Sequence, residues 1–182
     1  MSSPRPPTAA EALWRELEDW FRGEDGESHA GPDLTFDGLE AAEVERVWEF
    51  LRSSADPIDP TQTTWDEITD AEVSIVTALE HGAVAAATRS PGLLLGLNEV
   101  TAHGVKLPWL GVFIYTDAIA LYWWVSDDSG WNAETLAALA RLVDDLRRLA
   151  PAAQVDVEWD VEGREFFPTI DRFLSASAQA GD

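Results

Sequence analysis

The sequence predicts an α+β fold: an antiparallel sheet of four to five strands, arranged as a meander, packed by helices from the N- and C-terminal parts. Three observations carry this. Capped, amphipathic helical patterns stand near both ends of the chain. Strand-like apolar runs separated by turn signals fill residues 83–125, and residues 154–161 alternate apolar and acidic side chains.

Residues 1–7 are proline-rich and are expected to form a flexible arm, residues 8–177 a single domain and residues 178–182 a flexible tail. Thr8 and Glu11 form a T-x-x-E capping box, in which each side chain satisfies a backbone N–H of the first turn. Leu13, Trp14, Leu17, Trp20 and Phe21 follow at helical spacing, and Gly23 ends the helix. Glu24 to Pro32 reads as a polar loop. A second helix is expected from about Glu40 to Ser53, with Val44, Val47, Trp48 and Leu51 on one face. Asp56-Pro57-Ile58-Asp59-Pro60 turns the chain, since proline disfavours helix in the residue before it.

Residues 65–81 carry two patterns. Thr64 and Glu67 form another capping box, and Trp65, Ile68, Ile75 and Leu79 recur at helical intervals before Gly82, whereas Val73, Ile75, Thr77 and Leu79 alternate as in a strand. Helix is the expectation here. Ala83–Arg89 and Leu93–Val100 then read as strands around Ser90-Pro91-Gly92, with a further turn at His103-Gly104. Leu110–Tyr115 and Ala118–Val125 flank Thr116-Asp117 as a hairpin. In the last of these strands both faces are apolar, so a central position covered on both sides, by helices or by a partner, is expected. Asn132 caps a long helix, Ala133–Leu149, which carries Leu136, Leu139, Ala140, Val143 and Leu146 on its stripe. After Pro151, residues 154–161 form a strand with Val155, Val157, Trp159 and Val161 inward. A last helix, about Arg164 to Ala176, supplies Phe166, Phe167, Ile170 and Phe173.

Charge bounds the function. Thirty-four acids against twelve Lys and Arg give −22, spread as −10 over residues 1–60, −5 over 61–125 and −7 over 126–182. Such a surface repels phosphates and anionic lipid, so neither nucleic acid nor membrane is an expected partner, while a basic protein is attracted. Acidity also keeps a domain with nine Trp soluble without implying any site. The absence of Cys removes disulfides, thiolate nucleophiles and sulfur-based zinc sites. Only Lys106 among the bases is a lysine, a bias of GC-rich bacterial genes. No signal-peptide order or apolar run of about 20 residues is seen, so a cytoplasmic protein is expected.

The sharpest chemical feature is the row Asp156, Glu158, Asp160 and Glu162, which period two places on one strand face. Such a row suits Lys and Arg of a partner, or with further oxygen ligands a hard cation, and it equally describes an ordinary solvated strand face. Trp109, Tyr115, Tyr122, Trp123, Trp124 and Trp131 surround the hairpin; aromatic residues of this kind belong either to the core or to an interface or sugar platform. Trp131 and its loop with Asp127 and Asp128 are the expected exposed exception. His29, His81 and His103 have no chelating spacing, and Ser28 in Gly26-Glu27-Ser28-His29-Ala30 lacks the second glycine and the preceding strand of a nucleophile elbow. Both common Gly-rich phosphate loops are missing.

The expected function is therefore an acidic protein-binding module that captures a basic protein partner, as immunity and antitoxin proteins do, through Asp156, Glu158, Asp160, Glu162, Asp127, Asp128 and Trp131. No cofactor, metal or catalytic residue is expected. Two alternatives stand beside it. One is a homo-oligomeric accessory protein, a homodimer for instance, that covers the doubly apolar strand with a second subunit. The other is a small-ligand binder or enzyme with a cleft near Trp131.

Overall fold

A computed structural model of the chain describes residues 7–22, 29–126, 129–158 and 166–180. Helix α1, Ala9–Leu17, begins as its sequence implies: the Thr8 hydroxyl accepts from the Glu11 N–H at 3.2 Å, and Glu11 Oε2 accepts from the Thr8 N–H at 2.6 Å. Two short strands follow, β1 (His29–Ala30) and β2 (Asp33–Asp37), then helix α2 (Ala41–Ser53). Next come β3 (Thr63–Asp66), β4 (Ala71–Ser74), α3 (Ile75–Ala78) and α4 (Ala83–Arg89). Strands β5 (Leu93–Leu97), β6 (Thr101–Ala102), β7 (Val105–Lys106), β8 (Leu110–Ile114) and β9 (Ala118–Val125) lead to helix α5 (Ala133–Leu149). The chain closes with β10 (Gln154–Glu158) and α6 (Phe166–Ala180), which runs past residue 177.

The main sheet is antiparallel in the order β10-β2-β9-β8-β5, with β1 also pairing β9. It is the α+β architecture anticipated, and β5, β8 and β9 supply the meander. One face is the core side. Leu34, Phe36, Ile119, Leu121, Trp123, Leu110, Val112, Leu93 and Leu95 are all buried there against Leu13, Leu17, Val44, Val47, Leu51, Leu136, Leu139, Val143, Phe166 and Ile170 of the helices. Burying a side chain of this size is worth about 1.5–3 kcal/mol, so the strand alternation and the helical stripes are satisfied by the same contacts.

Two expectations about local structure are corrected. Residues 65–81 are a hairpin, β3 and β4, followed by one turn of α3, not a continuous helix. The Asp66 carboxylate accepts from the N–H groups of Ile68 and Thr69 at 2.9 and 3.1 Å, which fixes a turn, and Asp70 takes a left-handed φ of 53°. Long-range bonds hold that turn in place: Arg89 Nε donates to Asp66 at 2.9 Å, Glu67 N–H to the Arg89 carbonyl at 2.8 Å, and Ser90 Oγ to the Trp65 carbonyl at 2.7 Å. Trp65 and Ile68, two of the four residues that gave the helical spacing, are exposed, whereas Ile75 is buried.

Residues 83–89 are helix α4 rather than a strand. Alanine-rich sequence favours helix, and the N-terminal donors find a partner from another element: Glu45 of α2 accepts from Ala83 N–H at 3.0 Å and Val84 N–H at 2.9 Å. Gly82 precedes it at φ 100°, and a Cβ there would lie 2.7 Å from Glu45 Oε1. Strand β9 is central, as anticipated; among the described residues helices cover its Ile119, Leu121, Trp123 and Val125 face, and on the other face Trp124 is 48% exposed.

Candidate functional site: the open face of the sheet

Residues paired directly across an antiparallel ladder share a face. The registers therefore build continuous rows on the side away from the helices. One runs Leu94, Phe113, Ala120, Thr35, Asp156 across all five strands; beside it, Gly96 pairs Gly111 and Gly111 pairs Tyr122, and on the other side Ala118 pairs Asp37 and Asp37 pairs Gln154. Ala118 and Ala120 are buried, yet neither belongs to the core cluster.

The β8–β9 half of this face is paved with aromatic rings. Tyr115 stacks on Phe113 with centroids 6.2 Å apart, Phe113 meets Tyr122 at 5.3 Å, Tyr122 meets Trp109 edge-on at 5.3 Å, and Trp109 reaches Trp124 at 6.5 Å. Tyr115 and Trp124 are exposed, Leu94 beside them is 41% exposed, and Trp109, Phe113 and Tyr122 are half-buried. Two glycines let the rings lie low. A Cβ on Gly96 would stand 2.5 Å from Trp109 Nε1, and one on Gly111 would strike the Tyr122 ring outright.

The β2–β10 half is acidic. Asp37 and Asp156 are exposed and Asp33 is half-buried, and no Lys or Arg occupies any of the register positions just named. The two halves touch electrostatically at Tyr122, whose phenol is pushed above the ordinary tyrosine value, first by burial and then by the negative charge of Asp33.

Of the residues singled out in the sequence, Asp156 stands on this face and Glu158 pairs by its backbone with Asp33. Asp160, Glu162, Asp127 and Asp128 lie outside the described residues. Trp131 is not the exposed aromatic anticipated. It is 8% exposed, packed on the core side against Phe21 at 4.9 Å and Trp123 at 5.9 Å. That cluster already contains Phe21 stacked on Trp123 at 5.0 Å and 5°, which draws the loop residue in. Sequence reading passed over Asp33, Asp37, Phe113 and Leu94. The signal for the first two was the short alternation Asp33-Leu34-Thr35-Phe36-Asp37.

Two open grooves flank α6, and Trp131 lines neither. In the larger, charges satisfy one another: His103 Nε2 pairs with Asp145 at 2.8 Å, Arg148 with Asp144, and Arg141 lies over the Phe173 ring at 5.7 Å. Among the described residues no group of three or more His, Asp or Glu could hold a metal, and no helix is long and apolar enough to cross a membrane. Comparison with protein-family models, curated proteins and solved structures finds no match.

Proposed function

We propose that the protein is a binding module that captures a basic protein partner on the open sheet face. The observation that carries this reading is the side-by-side arrangement of five linked rings and a strip of carboxylates on one face that no described helix covers. Exposed apolar patches on a folded domain mark interaction surfaces more often than chance residues do, and Trp and Tyr are the commonest energetic anchors of interfaces. Arg and Lys suit both halves: their cations sit over aromatic rings and pair with carboxylates. The excess of 22 negative charges accelerates the encounter with a positively charged partner.

The reading is tested by affinity capture from the native lysate at low and high salt, with the unaltered protein, with Asp33→Asn, Asp37→Asn and Asp156→Asn combined, and with Trp124→Ser. A basic protein retained by the unaltered chain, released by salt and lost with either variant is the expected result. A partner retained equally by all three proteins would place binding elsewhere on the molecule.

A further inference from the structure

Resting on that reading, we propose that the captured segment is an amphipathic α-helix, with an apolar stripe and its Lys and Arg residues along one flank only. The open face offers side chains and no backbone groups. Strands β2, β9 and β8 each have a neighbour on both sides, so their N–H and C=O groups are spent within the sheet. Both edges are partly closed as well. At β5 the Gln62 side chain donates to the Gly96 carbonyl at 3.0 Å and accepts from its N–H at 2.7 Å. At β10, Asp156 Oδ1 accepts from the Val157 N–H at 2.8 Å. An extended segment laid on the rings would bury its own N–H and C=O groups with nothing to receive them, which is costly. A helix arrives with those groups already satisfied.

The dimensions and the charge pattern agree. The rings follow the direction of β8 and β9, and the acids follow β2, so the two rows run parallel. A helix about 10 Å across covers about two strand spacings of about 4.8 Å. Its apolar stripe therefore fills the β8–β9 half, and only the flank turned toward β2 and β10 reaches the exposed Asp37 and Asp156. The eight residues of β9 span about 26 Å, the length of about 18 helical residues. Five turns of such a segment match the whole row from Tyr115 to Trp124.

The experiment uses three labelled synthetic 18-residue peptides: Leu at helical spacing with Lys on one flank and Gln elsewhere; the same peptide with two central Gln changed to Pro; and the same with Glu in place of Lys. Fluorescence anisotropy reads affinity and circular dichroism reads helix gained on mixing. Expected are binding of the first peptide with a gain of helix, at least tenfold weaker binding of the other two, and at least tenfold loss with Trp124→Ser. Trp65→Ser, an exposed tryptophan on the separate β3–β4 hairpin, should leave binding unchanged. Equal binding of the Pro peptide would overturn the helical inference and leave capture of a basic segment standing. If neither Lys peptide binds, both fall. Sedimentation of the protein alone adds one more outcome: a dimer that Trp124→Ser abolishes would mean that a second copy covers the face, and would overturn the proposal.

Discussion

The two faces of β9 are built from alternate residues of a single strand, and they behave as different materials. On one, Trp123 is fully buried, stacked on Phe21, with its indole N–H donating to the Trp20 carbonyl at 3.3 Å. On the other, its chain neighbour Trp124 stands half in solvent at the end of a row of rings. Hydrophobicity alone does not separate them, since both are tryptophan. What separates them is the second layer: helices α1, α2, α5 and α6 all pack on the Trp123 side. Substituting the two residues is the sharpest way to break the comparison. Trp123→Ala should cost about 3–5 kcal/mol in urea unfolding, the usual range for a large core ring. Trp124→Ser should stay within about 0.5 kcal/mol while binding on the open face is lost. Equal destabilisation by both would mean that the open face is covered within the folded chain.

A smaller effect is expected where the open face is shaped from beneath. Gly111→Ala places a methyl group where the Tyr122 ring lies. The ring must lift or turn, which for overpacking of this kind costs about 1–3 kcal/mol. Because Tyr122 links Phe113 to Trp109, the same change should interrupt the row and weaken capture of a Lys-rich peptide. Pairing Gly111→Ala with Tyr122→Ala tests the cause. Relief of the steric cost in the double variant, measured as a destabilisation smaller than the sum of the single ones, is the expected outcome.

On the core side the next effect belongs to a cap contributed by another helix. Glu45→Ala leaves the N–H groups of Ala83 and Val84 without their acceptor and should cost about 1 kcal/mol, read as a lower urea midpoint with an unchanged slope. This contact also marks where the sequence stopped being legible. Helices whose start signals are local, α1 with Thr8 and Glu11 and α5 with Asn132 and Thr135, could be read directly. So could β10, because its alternation is carried by five consecutive residues. Helix α4 has no capping side chain of its own, and the β3–β4 turn is anchored by Arg89 from 23 positions away. Local spacing cannot report partners at that distance, so Ala83–Arg89 looked like a strand and Trp65 to His81 like a helix. The candidate site divides the same way. The acids of β10 stood out through regular spacing, whereas Asp33 and Asp37 joined them only through pairing of β2 with β9 and β10, and Trp131 was placed by the core rings around it rather than by its loop.

The smallest predicted effect tests whether the acidic and aromatic rows really meet. The folded chain holds the Tyr122 proton above the ordinary tyrosine pKa of about 10, through burial first and the Asp33 charge second. A phenol with a raised folded pKa adds stability that is fully present below about pH 10 and is lost as pH rises through the folded value. Stability should therefore fall more steeply above pH 10 in the unaltered protein than in Tyr122→Phe. The chain has two tyrosines, so the ultraviolet titration of Tyr122 is the difference between those two proteins. Asp33→Asn removes the charge and leaves the burial, which should move the Tyr122 midpoint down only part of the way. A complete return to the ordinary value would make the charge, not burial, the main cause. No movement would mean that Asp33 does not face Tyr122, and that the boundary between the carboxylate strip and the ring row lies farther from β9 than the register of β2 requires.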